Sequence, residues 1–361
     1  GQFLKQWLQV GGPSVVMATS RERPDLPNNL LRACKWYSVD GLKPQASVAL
    51  LGQLGVLGEP AQLQTLAESV NGHPLLLQLI AGWLMAEDEE YPHVDLLDEA
   101  PDLLTEVKGA HRHDSEASVA LLLEATLGRL QPTLRTLLQR VSVYRRPFTL
   151  AAAQAMVSEG SVVLAKDDLR RPVKRSLLIE QRETVNGQRV RYYLFQPLIQ
   201  QYLQRCLGAD LPAAHQQAAD FYYQTRQPQL GPTSERVETA NYEEVAYHLC
   251  ELGNYGEAIT LWDQNTDNAN RYSSPDMVLQ LRGYNSVRAE LFERIANAWQ
   301  PTEEKDHRLF AYALEKLGDV LQFLKRSEAA LEKYETAIGI YRQVGARLGE
   351  ANKIQDIGNI K

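Results

Sequence analysis

The chain has 361 residues, enough for two or three domains with proper cores, and carries 38 Lys and Arg against 45 Asp and Glu, a formal charge of −7. That balance does not advertise nucleic-acid or anionic-membrane binding, and three scattered cysteines (Cys34, Cys206, Cys250) argue against a disulfide framework or a Cys-rich metal site. No apolar run reaches membrane-spanning length and no secretory signal opens the sequence, so a soluble cytoplasmic protein without membrane contact is expected.

Taken in order, residues 1–10 read as an amphipathic helix (Phe3, Leu4, Trp7, Leu8) ending at Gly11-Gly12-Pro13. The run Ser14-Val15-Val16-Met17-Ala18-Thr19-Ser20-Arg21 is apolar and then polar, the pattern of a buried parallel strand whose end reaches the edge of an α/β sheet. Trp36-Tyr37-Ser38-Val39 reads as a second strand, before Asp40-Gly41-Leu42 and a helix from Gln45. Residues 1–44 therefore read as the C-terminal part of a doubly wound α/β domain whose opening strands and phosphate loop are missing. Helical patterns at both ends mark a piece of a longer protein.

Residues 45–117 read as a helical subdomain and linker. Leu63, Leu66, Ala67 and Val70 recur at helical spacing, and Leu75 to Leu84 is a second apolar run. Between them Asn71-Gly72-His73-Pro74-Leu75 forms a corner, with Gly72 suited to the left-handed conformation that ends one helix and Pro74 to the first position of the next. A helix N-terminus beside a rigid ring can sit near an anion and cover a flat ligand; a plain turn between packed helices fits the pentapeptide as well. Met85 to Ser118 is acidic and broken by Pro92, Pro101 and Gly109, so His93, His111 and His113 read as solvated loop histidines rather than metal ligands.

Residues 118–207 read as a winged helix. A helix carries Leu121, Leu122, Ala125 and Leu130, and Gln131-Pro132 starts the next. Short helices are expected near 150–157 and 164–178, then a hairpin around Asn186-Gly187, then a helix from Pro197. Arg170, Arg171, Lys174, Arg175 and Arg189 form a basic cluster in this region. Residues 208–361 read as helical repeats: Asn241 to Gln264 gives helix, Gly-Asn turn and helix, and Leu317-Gly318-Asp319-Val320 recurs forty residues on as Ile357-Gly358-Asn359-Ile360. Residues 265–300 keep helical periodicity without clean repeat marks and read as degenerate repeats.

The run from Val15 to Arg21 resembles the sensor 1 strand of NB-ARC nucleotide-binding domains, of the STAND class of signalling ATPases. The strand at Trp36, the helical segment with Gly72-x-Pro74, the winged helix and the repeats follow in that family's order. Phe3-x-x-x-Trp7-Leu8, Gly72-His73-Pro74-Leu75 and the tetratricopeptide-like repeats look most like cyanobacterial members. The resemblance implies that Arg21, at the end of Thr19-Ser20-Arg21, senses the terminal phosphates, that Gly72 and Pro74 pack on the adenosine, and that the cofactor is ADP or ATP. Magnesium would be held by the missing N-terminal half. Where the family has Met-His-Asp before the last winged-helix helix, this sequence has Phe195-Gln196-Pro197; Gln196 can donate to the diphosphate but cannot become a cation.

The fold expected is thus mostly α: an α/β remnant, a helical subdomain, a winged helix and an α-solenoid. The leading function is part of a nucleotide-dependent signalling switch, with the winged helix closing on the nucleotide and the repeats sensing a protein or peptide ligand, and with a homo-oligomer on activation. The alternatives are a repeat-based scaffold with a degenerate nucleotide domain, and a transcription regulator using the winged helix; DNA is the disfavoured partner. No Gly-x-x-x-x-Gly-Lys-Ser/Thr loop or magnesium acid occurs here, so any slow ATPase activity belongs to the parent and not to these residues.

Overall fold

Three prolines set the first helices in place. The computed structural model describes residues 2–10, 14–19, 25–87, 90–100, 105–107, 115–157, 163–185 and 187–360. After α1 (Gln2–Val10) and a single turn, α2 (Asn28–Leu31), come α3 (Pro44–Gln53), α4 (Pro60–Ser69) and α5 (Pro74–Glu87), each opening on a proline whose missing N–H is no loss there. Glu59 and Gln62 close a capping box on α4, and Gln62 reaches on to Asp95 at 2.8 Å. Helix α5 is apolar almost all round, so most of it is buried: Leu76, Leu77, Leu79, Ile80 and Leu84 are inaccessible to solvent.

The two strands expected near the N-terminus do not form. Residues 14–19 and 34–43 lie outside any strand, with Val15 and Met17 93% and 94% exposed and Val39 93% exposed. A parallel strand takes its hydrogen bonds from strands on either side, and among the described residues neither stretch has such a neighbour. Ser20 and Arg21 lie outside the described residues, as do His111 and His113. His93 is not a solvated loop residue: it is half-buried, its Nδ1 accepts from the Asp95 N–H, and its ring stacks on Tyr91 at 5.3 Å.

A helix-and-hairpin unit follows. It comprises α6 (Ser115–Gly128), α7 (Pro132–Val141), α8 (Leu150–Ala155), α9 (Lys166–Lys174), β1 (Ile179–Val185), β2 (Gln188–Leu194) and α10 (Pro197–Leu207). The strands pair antiparallel from Ile179↔Leu194 to Val185↔Gln188, and Gly187 takes the positive φ of +78° that the tight turn requires. Phe148 adds an isolated antiparallel bridge to β2, exchanging two 2.8 Å backbone hydrogen bonds with Tyr193. The helices and the hairpin fall close to the residues expected, the two short helices ending at Ala155 and Lys174. Helix α6 lies against α5, so the unit shares its core with the helical subdomain.

The remainder is a helical solenoid: α11 (Leu211–Thr225), α12 (Arg236–Glu251), α13 (Tyr255–Asp263), α14 (Pro275–Leu281), α15 (Asn285–Ala298), α16 (Glu304–Phe323), α17 (Ser327–Gln343) and α18 (Arg347–Ile360). Its corners repeat one geometry. At Gly253, Gly283, Lys325 and Gly345 φ is +79°, +76°, +61° and +65°. In each case the next N–H reaches back across the turn: Asn254 to the Leu249 carbonyl, Tyr284 to Leu279, Arg326 to Leu321 and Ala346 to Tyr341, at 2.8–2.9 Å. The region without clean sequence marks therefore turns the same corner, at Gly283. Its short helix α14 is fastened to α15 by a fully buried two-pronged pair, Arg288 to Asp276 at 2.7 and 2.9 Å. Gly318 marks a close helix crossing, since a Cβ there would meet the Tyr334 ring at 2.4 Å, whereas Gly358 faces open space.

Candidate functional site

The corner at Gly72 is built by two glycines pressed together. Gly72 has φ +62° and is buried; the Leu42 N–H donates to its carbonyl at 2.8 Å. A Cβ on Gly72 would lie 2.2 Å from the Leu42 carbonyl oxygen, and one on Gly41 1.8 Å from that of Asn71. Gly72 is thus required by backbone packing whatever else it does. His73 caps the next helix, its Nδ1 accepting from the Leu76 N–H at 3.4 Å. Pro74 sits at the first position of α5 with its ring exposed.

The helix that Pro74 opens carries the contact with the second unit. Gln196, the residue before α10, is half-buried and its Nε2 donates to the Gln78 Oε1 at 2.7 Å. Gln78 lies one turn along α5 from Pro74, so the structure brings Gly72, Pro74 and Gln196 into one neighbourhood. No hydrogen bond joins Thr19 to them; it lies exposed in the N-terminal segment. Gln78, the one carboxamide in α5, was missed by sequence reading. One turn further, Gly82 admits the backbone of the second unit, for a Cβ there would lie 2.1 Å from the Arg175 carbonyl oxygen. The Arg129 guanidinium lies 3.9 Å from the centre of the Trp83 ring. Behind Gln196, the Gln200 Nε2 donates to the carbonyls of Ser142 and Tyr144 and the Gln204 Nε2 to Ser142, at 2.7–2.8 Å, tying α10 to the end of α7.

The opposite face of this unit meets the solenoid through charge. Arg145 and Arg146, in the turn after α7, enter beside the buried acids Glu243 and Glu244 of α12. Arg145 Nε lies 3.1 Å from Glu244 and its Nη1 2.9 Å from Glu290; Arg146 lies 2.7 Å from Glu244 and 2.5 Å from Glu243. Burial pushes the Glu244 carboxyl up, and Arg145 and Arg146 pull against it. Burial works to lower the Arg145 value, but Glu244 and Glu290 outweigh it and hold the guanidinium charged. Beside them His215 and His248 share one short contact, Nδ1 to Nδ1 at 2.8 Å, which needs one ring to donate and the other to accept. Burial, His215 and Arg145 push His248 down to about 3, so the pair is neutral.

The solenoid encloses a groove of about 650 Å³ between α11, the Gly253 corner, α13 and the start of α16. Its walls carry Tyr223, Tyr255 and Trp299, with the acids Asp220, Glu257 and Asp306. The single Gly-Asn turn at Gly253-Asn254 marked its place in the sequence; the partners from α11 and α16 are too distant in the chain to be read there.

No family model matches the chain, and no curated protein matches it. Among solved structures the chain is similar to a Signal Transduction ATPase with Numerous Domains (STAND) protein with a tetratricopeptide repeat sensor from Pyrococcus horikoshii, at 14% identity and a TM-score of 0.40. The likeness covers 89% of this chain and 45% of that one, so the chain spans less than half the length of that protein.

Proposed function

We propose that this chain is part of a nucleotide-dependent signalling switch of the STAND class, with ADP or ATP lying against the Gly72–Pro74 corner and Gln196, and with the solenoid as sensing arm. The observation that carries the reading is the hydrogen bond from Gln196 to Gln78, which sets the start of α10 one turn from the exposed Pro74 ring. The fit is partial. An exposed proline ring offers a flat apolar plate for a base or ribose, and the Gln196 carboxamide offers a donor for a phosphate oxygen. Thr19, Ser20 and Arg21 would face the terminal phosphate, and this assignment rests on the sequence motif alone. Among the described residues no cluster of His, Cys, Asp and Glu is placed to hold magnesium. A homo-oligomer formed on activation belongs to the same proposal.

Against the transcription-regulator reading, Arg182 and Arg191 of the hairpin both pair with Glu180, at 2.6 and 3.7 Å, and Arg170 pairs with Asp167 at 3.3 Å. The scaffold reading draws on the open N-terminal segment and the groove. Among the described residues no helix is long and apolar enough to cross a membrane.

Calorimetric titration with ADP tests the proposal. Replacing Gln196 by Ala should weaken ADP by about 1.5–3 kcal/mol, the worth of a hydrogen bond to a charged group. Gln196→His should restore it and add a pH dependence between about 6 and 7. Equal ADP affinity for the parent chain and Gln196→Ala, or no ADP binding at all, would hand the lead to the scaffold reading.

A further inference from the structure

We infer that the solenoid groove takes an extended peptide bearing lysine or arginine side chains. This deepens the sensing-arm part of the proposal above, and it requires no nucleotide. The acids Asp220, Glu257 and Asp306 reach the groove from three different helices, α11, α13 and α16. Lys305 is the one base in its lining, and its ammonium is held by Glu303 at 2.8 Å, which cancels its charge locally. Asp220 accepts from the Gln216 Nε2 at 2.9 Å, while the carboxylates of Glu257 and Asp306 take no hydrogen bond or ion pair from the described residues. The groove therefore carries three acids against one base, Lys305, which acts on Asp306 as well as on Glu303, and its net charge is negative.

Its apolar surface suits the same ligand. The Tyr255 and Trp299 rings lie 5.8 Å apart at 31°, and Phe310 meets Trp299 edge-on at 83°, which fixes the indole in place. On the floor, a Cβ at Gly256 would lie 3.8 Å from Trp299 and 3.9 Å from the Asp306 carboxylate. Indole and carboxylate thus border one spot, a pairing that receives the stem of a long basic side chain on the ring and its charged head on the acid.

Length and the neutral groups select a peptide over a small cation. Asn254 and Gln264 stand at the two ends of α13, ten residues and so about 15 Å apart. Neither carboxamide is engaged by another described residue, and each offers a donor and an acceptor to a backbone amide. A span of about 15 Å matches four or five extended residues.

Fluorescence anisotropy with the whole chain tests this, using a labelled hexapeptide of alternating Lys and Leu, the same peptide with Glu for Lys, and spermidine as competitor. The Lys peptide should bind and weaken as salt is raised, and the Glu peptide should not bind. Replacing Glu257 by Gln and Asp306 by Asn should each weaken the Lys peptide about tenfold, while the thermal melts should fall only slightly, since Glu257 is exposed and Asp306 is half-buried in the first turn of α16. Gly256→Leu, in a helical position, should block the groove. Binding of neither peptide, equal binding of both, or unchanged affinity in the two charge variants would overturn the assignment. So would displacement by spermidine at the peptide's own concentration, since that would mean a small-cation site. Loss of ADP binding alone would leave these results untouched and would refute only the nucleotide proposal.

Discussion

The helix-and-hairpin unit is joined to its two neighbours in opposite ways. Toward the helical subdomain it presents α6 to α5 through apolar packing, a close backbone approach at Gly82, Arg129 over the Trp83 ring and the neutral hydrogen bond from Gln196 to Gln78. Toward the solenoid it inserts Arg145 and Arg146 between buried acids. Both Gln196 and Gln78 are half-buried, so each can exchange its partner for water or a ligand oxygen at little cost. Withdrawing the arginines would strip buried Glu244 of both its cationic partners and leave Glu243 with Arg236 alone, at 3.5 Å, which is expensive. The physical expectation is that rearrangement occurs at the glutamine contact, while the arginine joint carries the unit and the first repeat as one body.

The largest effect should come from breaking the ionic side. Arg145→Ala combined with Arg146→Ala should cost about 3–5 kcal/mol in a urea melt, because buried Glu244 loses both its partners rather than merely an attraction. Adding Glu243→Gln and Glu244→Gln should recover most of that loss. A double arginine variant as stable as its parent would mean that the joint is not closed in solution.

A smaller, pH-dependent effect comes from the histidine pair at the same joint. In the unfolded chain an imidazole titrates near 6.5, whereas in the fold burial, His215 and Arg145 push His248 down to about 3. Between these values the unfolded chain holds a proton that the folded chain does not. The contribution is therefore complete above about pH 6.5 and lost as pH falls toward 3, at about 1.4 kcal/mol per pH unit. His215, also pushed down by burial, acts in the same direction. Thermal melts from pH 7 to 4 should show the slope, and His248→Gln should flatten it. The arginine variant should be flatter as well, since Arg145 helps to push His248 down.

The smallest effect on stability belongs to the neutral side. Gln196→Ala should change the folding free energy by about 1 kcal/mol or less, because water can take over from Gln78. A loss equal to that of the arginine variant would erase the distinction between the two sides.

How much of this was legible in the sequence follows the range of the forces involved. The corners at Gly72 and Gly253 were readable because a positive φ and a proline-led helix leave local marks. Gly283 carries the same corner, but the surrounding small-residue pattern is missing, so its repeat was read as degenerate. The strand pattern at Val15–Thr19 stayed unrealised because a strand depends on partners that local sequence does not supply. The charge joint was invisible for the same reason. Arg145-Arg146 and Glu243-Glu244 are conspicuous dipeptides, yet nothing local says that they meet across about a hundred residues of chain. Gln78 stood out only once Gln196 was seen beside it.

Hydrogen exchange of the whole chain with and without ADP tests the central claim most directly, by comparing amides at 75–80 and 198–202 with those at 242–248. The account predicts ADP-dependent protection on the first two segments and none on the third. Unchanged exchange at 75–80, or an equal change at 242–248, would contradict it.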